Sequence, residues 1–132
     1  MNAGEAKTVL VAEDEDSLRE LIVRSLTRSG YRVLSASDGP GALDAARACN
    51  GPIHLLLADV VLPGIGGPKL VEQLSAVRPD LRVLYMSGYS EFNAFGSGTP
   101  APDSRLLHKP FAVETLLRGV ADVLSAQTEV LA

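Results

Sequence analysis

Tryptophan is absent, aromatic side chains make up only 5% of the chain, and Cys49 is the single cysteine. One cysteine excludes an internal disulfide, and its place on the apolar stripe of an expected helix assigns it a packing role. Basic charge is also scarce: 12 Lys and Arg stand against 16 Asp and Glu, for a net charge of −4. Non-specific nucleic-acid binding needs a basic face that displaces counterions, and neither such a run nor a pair of stacking aromatics occurs. No apolar run approaches the roughly 20 residues of a membrane span, and no signal-peptide pattern opens the sequence, so a cytoplasmic location is expected. The only histidines, His54 and His108, each fall on a short strand with no partner at ligand spacing. Structural roles are expected for both. Internal repeats, low-complexity tracts and linkers are lacking too.

What remains is the make-up of an ordinary globular protein, 46% apolar and 21% charged over 132 residues. That length suits one domain, expected over residues 7–125 with flexible termini at 1–6 and 126–132. Short apolar runs alternate with helical periodicity. Val9-Leu10-Val11-Ala12 reads as a strand, and Ser17-Leu18-Arg19-Glu20 matches a capping box ahead of Leu18, Leu21, Ile22 and Leu26, with Gly30 as the stop. Tyr31 to Ala36 reads as a second strand, and Asp38-Gly39-Pro40 opens a helix whose apolar face is Ala42, Ala45, Ala46 and Cys49. A third strand, Ile53 to Ala58, leads through a glycine-rich loop to a helix striped by Leu70, Val71, Leu74 and Val77 and closed by Pro79. Val83 to Met86 and Leu106 to His108 are the remaining strands, and Val113, Leu116, Leu117, Val120 and Leu124 stripe the last helix. Between those two strands, Gly96, Gly98, Pro100 and Pro102 leave room for only a short or irregular fourth helix. Repeated β-α units with apolar strands predict an α/β fold: a five-stranded parallel sheet, doubly wound.

In such a sheet the ligand crevice lies beyond the carboxyl ends of the strands. Asp59 ends the third apolar run there. Glu13 and Asp14 follow the first, Ser87 follows Val83-Leu84-Tyr85-Met86, and Lys109 follows the fifth. Glu15 and Asp16 complete the acidic cluster and read as a solvated helix start, where negative charge favours the helix dipole. Carboxylates brought together repel: two unit charges about 4 Å apart cost roughly 4 kcal/mol at an effective dielectric of 20. A divalent cation offsets this, and hard oxygen ligands without His or Cys favour Mg²⁺. The usual use of such a site is phosphoryl transfer, with Lys109 and the Ser87 hydroxyl available to phosphoryl oxygens. Gly64, Gly66 and Gly67 do not form a phosphate-binding fingerprint.

These residues, in this order, resemble the receiver domain of two-component response regulators, in the style of receivers attached to hybrid histidine kinases. Glu13-Asp14, Asp59 with Pro63-Gly64, Met86-Ser87-Gly88-Tyr89 and Lys109-Pro110-Phe111 carry the resemblance, which runs from about Thr8 to Leu124. It implies a flavodoxin-like receiver fold with Asp59 as phosphoacceptor. It further implies Asp14 as a direct Mg²⁺ ligand, Glu13 as an acid acting partly through water, and Val61 as a ligand through its backbone carbonyl. Ser87 would sense the phosphoryl group and Lys109 would bind it, with a cis Lys109-Pro110 bond. The implied partners are a histidine kinase or histidine phosphotransfer protein, with a homodimer possible, and the domain would be a self-phosphorylating switch rather than an enzyme on other substrates. Three departures stand out. Leu106 replaces a switching aromatic, Glu13 replaces an aspartate, and Val61 and Tyr89 offer no group to orient an attacking water, which predicts a long-lived phosphoryl group. The alternative is a receiver-like docking module that takes no phosphate. A flavin carrier lacks its phosphate loop and stacking tryptophan, and a dehalogenase-type phosphatase would need an aspartate where Val61 stands. Free-standing receiver and fragment of a larger protein are both open.

Overall fold

The computed structural model describes residues 6–88 and 105–129. Five strands, β1 (Thr8–Ala12), β2 (Arg32–Ala36), β3 (Leu55–Asp59), β4 (Arg82–Ser87) and β5 (Arg105–His108), form one parallel sheet in the order β2-β1-β3-β4-β5. Among the described residues four helices cover it: α1 (Asp16–Arg28), α2 (Gly39–Ala48), α3 (Gly67–Val77) and α4 (Val113–Glu129). The expected fourth helix between Ser90 and Ser104 lies outside the described residues, as does Tyr89.

Side chains on a strand alternate between faces, and here both faces are dry. Val9, Val11, Leu55, Leu57, Leu84 and Met86 pack with Ile22 and Leu26 of α1 and Leu116, Val120 and Val123 of α4. Leu10, Ala12, Leu56 and Ala58 pack on the other face with Ala42 and Ala46 of α2 and Leu70 and Leu74 of α3. All five residues of β1 and of β3 are buried, as expected for central strands that read as unbroken apolar runs.

Local chemistry sets the boundaries. Asp38 caps α2, its Oδ1 accepting from Gly41 N–H at 2.7 Å, with Pro40 in the first turn. Gly30, at φ 101°, ends α1 in a Schellman turn: its N–H reaches the Thr27 carbonyl and Tyr31 N–H reaches that of Leu26. The capping box expected at Ser17 does not form. Helix α1 begins earlier, with Glu15 at the N-cap and no side-chain cap bond, and the Ser17 hydroxyl instead donates to Glu15 Oε2 at 3.2 Å. Past Ser125, where a loose tail is expected, helical backbone continues to Glu129. Arg78, just beyond α3, donates to the carbonyls of Ala46, Cys49 and Gly51, so one guanidinium closes the end of α2. Cys49 packs against the α2-α3 core, in keeping with an inert role. His54 is structural as well: its Nδ1 accepts from Thr8 N–H at 2.9 Å, stitching the lead-in of β3 to β1.

Candidate functional site

In this strand order the chain steps from β1 outward to β2 and then crosses to β3 on the other side, so the switch point lies between β1 and β3. Asp59 is the last residue of β3, and Glu13 follows the last residue of β1. Strict alternation puts both on the face of Val9, Val11, Leu55 and Leu57, which is why two carboxylates from distant segments meet. Both are buried, Glu13 at 1% and Asp59 at 2% exposure. Asp14 is exposed beside them. One carboxylate oxygen from each of Glu13, Asp14 and Asp59 lies within 4.8 Å of the others.

The cation among them is Lys109, delivered by the turn after β5, where Lys109 N–H bonds the Ser87 carbonyl and the Lys109-Pro110 peptide is cis as expected. Its ammonium lies 2.5 Å from Asp59 Oδ2 and 2.9 Å from Glu13 Oε1. Burial pulls the lysine pKa down, but the Asp59 and Glu13 carboxylates outweigh it and hold the pKa above the ordinary lysine value. Burial pushes Glu13 up to about 7, against the lowering pull of Lys109 and Glu15 N–H, while Asp59 adds to the rise. Glu13 Oε1 touches the ammonium as an ion pair but is not aligned to accept a hydrogen bond from it, so it remains a buried oxygen without a directed donor. Asp59 Oδ1 accepts from Val61 N–H at 3.2 Å.

Hard oxygen donors, close grouping and an under-used buried oxygen fit Mg²⁺. Two oxygens on one Mg²⁺ sit at most about 4.2 Å apart, so a group spread over 4.8 Å needs only slight closure or one bridging water. Ser87 is fully buried one step past Met86, the register partner of Asp59. Its hydroxyl donates to the Gly88 carbonyl at 3.0 Å. The side chain of Val61 is half exposed beside the site. An open groove of about 520 Å³, lined by Glu15, Leu18, Leu21, Pro110 and Phe111, shares Lys109 with the cluster.

This geometry agrees with what similar proteins are. The family model of the response regulator receiver domain matches residues 9–121. The chain belongs to that family. It is 38% identical over 122 residues to the sensor kinase CckA of Brucella abortus, covering 91% of this chain and 13% of that protein. With the response regulator receiver protein CpdR of the same organism it shares 31% identity, over 91% of this chain and 98% of CpdR. A crystal structure of the receiver domain from the hybrid histidine kinase CckA superposes with a TM-score of 0.74 at 33% identity, over 89% of this chain and 98% of that one. A response regulator receiver protein from Sinorhizobium medicae gives 0.80 at 28% identity, over 92% and 97%. CheY4 of Vibrio cholerae, at 24% identity and a TM-score of 0.75 over 90% and 99%, shares the fold. Receivers of this family belong to two-component signalling and generally bind Mg²⁺ at an acidic cluster. Among the described residues no helix is long and apolar enough to cross a membrane.

Three participants escaped the reading of the sequence. Arg19 donates from Nη1 to the Glu13 carbonyl at 3.0 Å. Glu15 N–H donates to Glu13 Oε2 at 2.9 Å. Gly67 lets the start of α3 press on the strand end, since a Cβ there would lie 2.3 Å from the Asp59 carbonyl oxygen. Only Arg19 left a trace in the sequence, as the helical i,i+3 partner of Asp16.

Proposed function

We propose that this receiver takes a phosphoryl group onto Asp59 from a phosphohistidine of a histidine kinase or histidine phosphotransfer protein. The observation that carries the reading is a buried carboxylate at the switch point, with an ammonium on it and two further acids close by. Glu13, Asp14, Asp59 and the Val61 backbone carbonyl would hold Mg²⁺, which when bound supplies neutralising charge to the phosphoryl oxygens. An Asp59 carboxylate oxygen forms the new bond to phosphorus as the phosphorus–nitrogen bond breaks, and the imidazole nitrogen keeps the electron pair. Val61 N–H holds the carboxylate in place during this exchange. Lys109 then passes from the carboxylate to a phosphoryl oxygen, and the Ser87 hydroxyl trades the Gly88 carbonyl for another. The donor would approach over the groove beside Lys109. The unit is residues 7–125, cytoplasmic, and acts as a switch that modifies itself, with at most slow autodephosphorylation.

Incubation with acetyl phosphate and Mg²⁺, read by intact mass, tests this. Wild type should gain the mass of one phosphoryl group and Asp59→Ala none, and the label should outlast a chase of many seconds. Absence of the mass gain in wild type would overturn the reading in favour of a receiver-like docking module.

A further inference from the structure

Glu13 and Asp14 lie after β1 and before α1, on a stretch with no strand or helix to hold it. Its backbone is tied at few points. Glu13 N–H donates to the Ala36 carbonyl at 3.1 Å, and Arg19 N–H donates to the Glu15 carbonyl at 2.9 Å. The Arg19 side chain returns to the same stretch, with Nη1 on the Glu13 carbonyl at 3.0 Å and Nη2 on Asp16 Oδ1 at 2.7 Å. The Arg19 side chain thus bonds the residue before Asp14 and the second residue after it. Its side chain is only 19% exposed, and its planar fork suits two acceptors held at fixed angles.

We propose that Arg19 is a positioning residue for the cation site: it brackets Asp14 and anchors the Glu13 carbonyl, so that both acids face Asp59. The inference rests on the reading of Glu13, Asp14 and Asp59 as Mg²⁺ ligands.

Charge alone predicts the opposite effect of removing it. Without Arg19, Asp16 loses its partner, the neighbourhood becomes more negative, and Mg²⁺ should bind more tightly. Loss of positioning predicts weaker binding, since groups that orient metal ligands are worth about 10–100-fold in affinity. The two effects differ in sign, so the dissociation constant separates them.

Calorimetric titration of the full chain with Mg²⁺ is the test, on wild type, Arg19→Met, Arg19→Lys, Asp16→Ala and Asp59→Ala. Arg19→Met should raise the Mg²⁺ Kd about tenfold. Arg19→Lys keeps the charge but replaces the fork with one ammonium, and should weaken binding by a smaller factor. Asp16→Ala leaves the Glu13 contact and should change Kd less than Arg19→Met does. Equal or tighter binding by Arg19→Met overturns the inference, and so does an Asp16→Ala loss as large, which would assign the effect to the ion pair. If Arg19→Met fails to fold by circular dichroism, Arg19→Lys carries the test, and wild-type affinity in it overturns the proposal. Wild type that takes up no Mg²⁺, or takes it up undiminished in Asp59→Ala, overturns the metal-site reading itself and this inference with it.

Discussion

At Lys109 one ammonium stands between two carboxylates that are almost wholly buried. Removing it leaves like charges facing each other in a low dielectric, and breaking a buried pair costs about 3–5 kcal/mol. Lys109→Met is expected near the lower figure, about 3 kcal/mol, because the lysine is 21% exposed. Urea unfolding in a chelator should show that loss, and added Mg²⁺ should recover part of it; an unchanged midpoint would refute the charge-balancing role. His54 supplies one part of the pH dependence. Burial, then the charge of Lys7, lowers its pKa, and its Nδ1 is bonded as an acceptor, so the folded state favours neutral imidazole. The unfolded chain protonates His54 as pH falls through about 6.5 while the folded chain resists, so the contribution of His54 to stability is full above that value and declines below it, opposite in sign to that of Glu13. Between about pH 7.5 and 5.5 the urea midpoint of wild type should drop relative to that of His54→Asn, which shares the Glu13 contribution; equal pH dependence in the two would count against this. Asp59 and Lys109 were legible in the sequence because a charge that ends an apolar run is conspicuous. Arg19 was not, because its role depends on the path of the loop it reaches back to.

Among elements, the junction of β3 with α3 is a close backbone approach. A Cβ on Gly67 would meet the Asp59 carbonyl oxygen at 2.3 Å and the Val60 Cα at 3.0 Å, all backbone and unable to step aside. Gly67→Ala should therefore cost about 1–3 kcal/mol, the usual range for overpacking, and should slow labelling of Asp59 by acetyl phosphate. A variant matching wild type in urea midpoint and labelling rate would show that the close approach is dispensable. The elements themselves were readable where periodicity was strong, and less so at their ends. Val77 was counted in the α3 stripe yet is 72% exposed, because the stripe rotates off the core as the helix closes. Val123 was overlooked and is buried at 5%. The capping box at Ser17 misled because an acidic run offers several possible first residues, and the fold uses Glu15.

For the whole molecule, parallel pairing of distant segments was legible in kind, since apolar strands alternating with helices admit few arrangements. The contact between Glu13 and Lys109 was not, because it needs the register of all the strands between them. A ligand that binds only the folded sheet stabilises it, and Mg²⁺ at ten times its Kd should add about 1.4 kcal/mol. That increment should appear as a higher urea midpoint in wild type and vanish in Asp59→Ala; a gain common to both would place the metal elsewhere. The order of the strands also bears on how the site comes into being. Its first two acids follow β1, its third ends β3, and its counter-charge follows β5, the last of the five strands in the sequence. A growing chain that has paired β1 with β3 therefore holds Glu13, Asp14 and Asp59 without the ammonium, and every stretch that stops short of residue 109 lacks that counter-charge. The ammonium that offsets part of the negative charge at the centre of this molecule belongs to the finished sheet and to no part of it.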